Sequence, residues 1–69
     1  MAVLEVMEVL AESDKSWEDA ARQAVFKADP TARDIRSVYI QSFEAAVDKG
    51  QIVGYRISAK ISFVREPAS

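Results

Sequence analysis

The stretch Trp17-Glu18-Asp19-Ala20-Ala21, followed by Thr31-Ala32-Arg33-Asp34-Ile35-Arg36, decides the fold, because it sets one amphipathic helix between strands. Ser16 opens a capping box. Its hydroxyl is placed to accept from the backbone N–H of Asp19, whose carboxylate is a shorter version of the usual reciprocal glutamate. Glu18 and Asp19 set negative charge at the positive end of the helix dipole. The apolar residues Trp17, Ala20, Ala21, Ala24, Val25 and Ala28 then recur at helical spacing, which predicts a helix over residues 17–27 or 28. Most of that stripe is alanine, so the helix is able to lie close to a sheet. Pro30 biases Asp29 away from helical dihedrals and stops the helix there. Thr31 and Asp34 are placed to cap one further short turn.

Outward from the helix, residues 3–10 read as a strand interrupted only by Glu5 and Glu8. Leu4, Val6 and Leu10 share one parity, and Val3, Met7 and Val9 share the other. Both faces are thus apolar, which predicts one face on the helix and one near a subunit contact. Residues 11–16 are polar and turn-like. Residues 35–46 form the second strand, Asp48-Lys49-Gly50 a turn, and residues 51–65 a long third strand. Along the third strand Val53, Tyr55, Ile57, Ala59, Ile61 and Phe63 alternate with Gly54, Arg56, Ser58, Lys60 and Ser62, giving one buried and one polar face. The tail containing Pro67 is expected to fray. Pairing Val38 and Ile40 with the apolar face of the third strand makes a coherent inner face. The outer face then carries Ser37, Tyr39 and Gln41 beside Arg56, Ser58 and Lys60; the opposite register would bury Ser37 and Gln41 without partners. The fold class is therefore α+β, in the order β-α-β-β with a three-stranded antiparallel sheet.

A chain of 69 residues is one domain at most, spanning 1–69. A core this small rarely supplies more than about 3–5 kcal/mol, and small folds make up the deficit with disulfides, metals or oligomerisation. Cysteine and histidine are both absent, which removes disulfides and the usual zinc ligands. Self-association remains, and a hydrophobic content of 49% exceeds what one helix and a thin sheet need privately. The net charge of −2, without a basic stripe, argues against nucleic acid. No apolar run reaches the length of a membrane span, and no cationic segment followed by an apolar one suggests a signal peptide. Cytoplasmic residence is the expectation.

The order and spacing of Ser13, Lys15-Ser16-Trp17-Glu18-Asp19-Ala20, Ala24-Val25, Asp34-Ile35-Arg36, Tyr55-Arg56-Ile57 and Ile61-Ser62-Phe63 resemble the dodecin family over nearly the whole chain. The resemblance implies a sheet that partly wraps the helix and a hollow homododecamer of cubic symmetry. It also implies storage or buffering of a flavin, riboflavin or FMN. Flavin-binding members stack the isoalloxazine ring on a tryptophan early in the second strand and bond its edge with a glutamine on the third. Those positions match Ser37 and Arg56 here, and both depart from the flavin pattern. A serine offers no ring face, and a stacked aromatic pair is worth about 0.5–1.5 kcal/mol beyond its burial. The expectation is weaker or altered ligand binding, with Tyr39 as a replacement ring, Gln41 as a lining residue and Arg56 as a stacking or phosphate-binding group.

The plainer readings are structural. Trp17 packs on the sheet or on a neighbouring subunit, Arg56 is a solvated or interface residue, and Tyr39 lines a subunit contact. Glu5, Glu8, Glu12 and Asp14 form an acidic N-terminal third that is most simply a solvated surface. In a symmetric assembly each carboxylate is repeated around an axis, and such a ring suits Ca²⁺ or Mg²⁺. A shell binding divalent cations at subunit interfaces is therefore the alternative to a flavin-type ligand. Enzyme chemistry is not expected: there is no phosphate loop, and Ser13 or Ser16 as a nucleophile would lack a base.

Overall fold

Residues 3–29 and 34–64 are described by the computed structural model. Strand β1 (Leu4–Ser13) leads into helix α1 (Trp17–Ala28), followed by β2 (Ile35–Asp48) and β3 (Gln51–Val64). The three strands form one antiparallel sheet in the order β1-β3-β2, so β3 is central. That position matches the strict alternation of β3. Its inward residues Ile57, Ala59 and Ile61 are buried.

Helix α1 crosses this inner face on its alanines. Ala20 packs with Ile57 and Ala59, while Ala24 and Ala28 pack with Ile61. Met7, Val9 and Ala11 of β1 and Val38 and Ile40 of β2 complete the layer. The helix start is capped as the sequence predicts: the Ser16 hydroxyl accepts from Asp19 N–H at 2.9 Å. The reciprocal half of the box differs. The Asp19 carboxylate takes the hydroxyl of buried Ser13 at 2.6 Å. Ser13 Oγ in turn accepts from Lys15 N–H at 2.9 Å and Ser16 N–H at 3.4 Å. This hub draws β1 out to Ser13, three residues past its expected end, and closes the loop expected to begin at residue 11. The helix ends at Ala28, but Asp29 keeps helical dihedrals (φ −55°, ψ −42°) against the expectation from Pro30, and its N–H donates to the Val25 carbonyl. Asp34 sits at φ 57° and turns the chain into β2, and its carbonyl accepts from Val64 N–H at 3.2 Å; the short turn expected between Thr31 and Asp34 falls on residues outside those described. Pro30, Thr31, Arg65 and the tail at 66–69 lie outside the described residues.

The hairpin between β2 and β3 closes through Lys49 (φ 52°) and Gly50 (φ 78°), with Asp48 opposite Gln51. Two successive positive φ values are the signature of the tight turn whose twist matches a hairpin. The inner-face register is the expected one, with Val38 opposite Ile61 and Ile40 opposite Ala59. Three bulges interrupt it. Arg36 and Gln41 are unpaired extras in β2, and Val53 is an extra in β3. Val53 is therefore exposed instead of continuing the buried row, and Gln41 leaves strict alternation.

Candidate functional site

The outer face of the sheet, opposite the helix, carries the residues marked by the sequence. It is built of cross-strand rungs in which one residue from each strand lies abreast. Val6, Ser62 and Ser37 form one; Glu8, Lys60 and Tyr39 the next; then Leu10, Ser58 and Ser42; then Glu12, Arg56 and Glu44. Ser37 and Arg56 thus share a face, as the register argument required. They do not share a place. Six residues of β3 separate their rungs, roughly 20 Å at the rise of a strand. One chain therefore holds them as two patches, not as one site.

Arg56 is clasped from both sides. Its Nε donates to Glu12 Oε1 at 3.0 Å, and NH1 donates to Glu44 Oε1 at 3.4 Å. The guanidinium pKa is raised above its ordinary value, first by the hydrogen bond to Glu12 and then by the charges of Glu12 and Glu44. The other oxygen of Glu12 lies 2.9 Å from where a Cβ on Gly54 would stand, so the absence of a side chain at Gly54 makes room for the clasp. Two rungs away, Lys60 Nζ lies 3.9 Å from Glu8. Tyr39, on the same rung as Lys60, is 64% exposed and presents its ring outward; Gln41 is exposed on its bulge.

The acidic residues of the N-terminal third are dispersed. Glu8 and Glu12 lie on the outer face against Lys60 and Arg56, Glu5 has the helix-side parity opposite Phe63, and Asp14 follows the end of β1. Among the described residues no three carboxylates converge on a common point.

Trp17 has a structural environment. Its ring meets Phe43 edge-on at 5.9 Å and Tyr55 at 5.0 Å, and its Nε1–H donates to the Glu44 carbonyl at 3.0 Å. Glu44 therefore ties the helix start to the sheet through its backbone while its side chain holds Arg56. Strict alternation from Ser37 would turn Glu44 toward the helix. The bulge at Gln41 reverses that phase, which is why the sequence pattern did not single Glu44 out.

Two grooves flank the helix. One, of about 640 Å³, runs between α1 and β1 past Asp14, Lys15, Asp19, Gln23 and Lys27. The other, of about 500 Å³, is floored by Ala21, Val25, Phe26 and Val38 and is largely apolar. Phe26 is 73% exposed along it.

Comparison with known proteins agrees with this architecture. The family model described as Dodecin matches residues 3–66. Calcium dodecin of Mycobacterium tuberculosis is 37% identical over 68 residues, covering 99% of this chain and 96% of that protein. The crystal structure of the M. tuberculosis calcium dodecin, described as calcium-chelating with a novel calcium-binding site, superposes with a TM-score of 0.81 at 34% identity, over 99% of this chain and 97% of that one. Dodecin from Streptomyces coelicolor gives a TM-score of 0.90 at 24% identity, over 97% and 96% of the two chains, a likeness of fold alone. With a family match over almost its full length and a relative well above 30% identity, this chain belongs to the dodecin family.

Proposed function

We propose that the chain assembles into a hollow homododecamer, resident in the cytoplasm, that binds a divalent cation, calcium before magnesium, between subunits and performs no catalysis. The observation that carries this reading is the chemistry of the outer face. Where a flavin would need a ring and an amide, Ser37 faces Ser62, and Arg56 is taken up by Glu12 and Glu44. What the face offers is carboxylate and hydroxyl oxygen, the ligand type of hard cations. The likeness to a calcium dodecin supports the same choice. Among the described residues no three carboxylates gather in one chain, so this reading sets the cation where oxygens of more than one copy meet. The apolar groove at Ala21, Val25 and Phe26 supplies surface for that association.

Calorimetric titration of calcium chloride into the assembled protein tests the reading, with light scattering on the same sample. The expected result is saturable uptake by a particle of twelve chains. A monomer or dimer, or calcium heats no larger than the dilution blank, overturns it.

A second reading keeps the flavin. Tyr39 is exposed two residues from Ser37 and offers the outer face a ring. Titration with riboflavin separates the two readings. Stoichiometric quenching of its fluorescence, abolished by Tyr39→Ala, supports the flavin reading; unquenched fluorescence sinks it.

A further inference from the structure

Arg56 is the outer-face residue best equipped to hold an anion, and it is already engaged. A guanidinium binds carboxylate and phosphate through the same planar set of N–H donors. Here Nε and NH1 are directed at Glu12 and Glu44. Two carboxylates against one guanidinium leave the rung with a net charge of −1. An incoming phosphate must displace a carboxylate or lie beside it. The neighbouring cations offer little relief. Lys60 lies near Glu8, and Arg36 donates to the Asp34 carboxylate at 3.2 and 3.3 Å. Every cationic side chain within β2 and β3 therefore faces a carboxylate. The clasp also has a place prepared for it, since Gly54 leaves the space that the Glu12 carboxylate fills.

We propose that the Glu12–Arg56–Glu44 rung is a charge filter: it bars phosphate and phosphate-bearing ligands from the outer face and leaves that face to cations and neutral rings. This rests on the reading that the outer face is the ligand-bearing one. It extends that reading by naming the ligand class the face refuses and the residues that refuse it.

The test uses the assembled full-length protein and inorganic phosphate as the probe, with binding read by calorimetry at constant ionic strength. The unmodified protein is expected to take up no phosphate at millimolar concentration. Glu12→Gln combined with Glu44→Gln keeps shape and hydrogen bonding but removes both charges, and is expected to tighten phosphate binding by about tenfold or more. Adding Arg56→Gln to that pair is expected to abolish the gain. Gly54→Ala, which keeps every charge but pushes the Glu12 carboxylate aside, is expected to give a smaller gain and serves if the double variant fails to assemble. Phosphate binding by the unmodified protein as tight as by the variants overturns the filter. So does a gain that survives loss of Arg56, or no gain in any variant that assembles. Calcium uptake by the same unmodified sample is a separate readout: its absence sinks the cation reading while the phosphate arms still decide the filter.

Discussion

Ser13 and Ser16 stand three residues apart and divide the work of starting the helix. Ser16 caps it directly through the Asp19 N–H. Ser16→Ala is expected to cost about 1 kcal/mol, read as a lower denaturant midpoint at unchanged slope. Ser13 is the buried member; its hydroxyl gives its proton to Asp19 and receives two backbone N–H groups. Ser13→Ala strands all three partners, so a cost of about 1–3 kcal/mol is expected, larger than that of the cap. A midpoint equal to or above that of Ser16→Ala would contradict this ranking. The two serines also show where a sequence is readable. The cap lies within three residues of its partner and was legible as a motif. The Ser13–Asp19 bond spans six residues and exists only because the end of β1 is brought beside the helix start, so nothing in the local pattern announced it.

At the scale of elements, the inner face depends on small residues under the helix. Ala20 is fully buried against Ile57 and Ala59, and a larger side chain there must lift the helix from the sheet. Ala20→Leu is expected to destabilise by about 1–3 kcal/mol, measured by thermal or denaturant unfolding, although leucine is itself a good helix former. The hairpin turn supplies a second prediction. Gly50 at φ 78° has open space around it, so Gly50→Ala meets no clash. Its expected cost of about 1–2 kcal/mol is that of a left-handed backbone alone. The helix, the succession of elements and the face of β3 were legible because periods of 3.6 and 2 leave clean traces in the sequence. The bulges were not. Gln41 looks like any polar strand residue, yet its insertion re-phases β2 and brings Glu44 to Arg56. Half of the charge filter was therefore hidden behind one unpaired residue.

The whole molecule is drawn out to 54 × 19 × 13 Å, with a radius of gyration of 14.1 Å against about 11 Å for a compact domain of this length. Among the described residues only Ile57 and Ile61 are large and fully buried, while Leu4, Val6, Leu10 and Phe26 stay exposed. The proposed assembly would supply the burial that this core lacks, as the composition already suggested. Its melting temperature is therefore expected to rise with protein concentration. Phe26→Glu, which sets a charge in the apolar groove, is expected to reduce the particle mass by light scattering. A melting temperature independent of concentration, with full mass retained by Phe26→Glu, would refute that dependence. The two bulges of β2 bear on a different hazard. β2 is an outer strand, and an outer strand with a straight row of free N–H and C=O groups invites another chain to continue the sheet. Arg36 and Gln41 break that row near its start, which leaves residues 42–48 as the longest regular run on this edge. The opposite edge, β1, pairs with β3 through ten residues without a bulge, so this protection is confined to the β2 side. The kink at Gln41 that brings Glu44 to Arg56 thus also shortens the edge that β2 offers to a foreign strand.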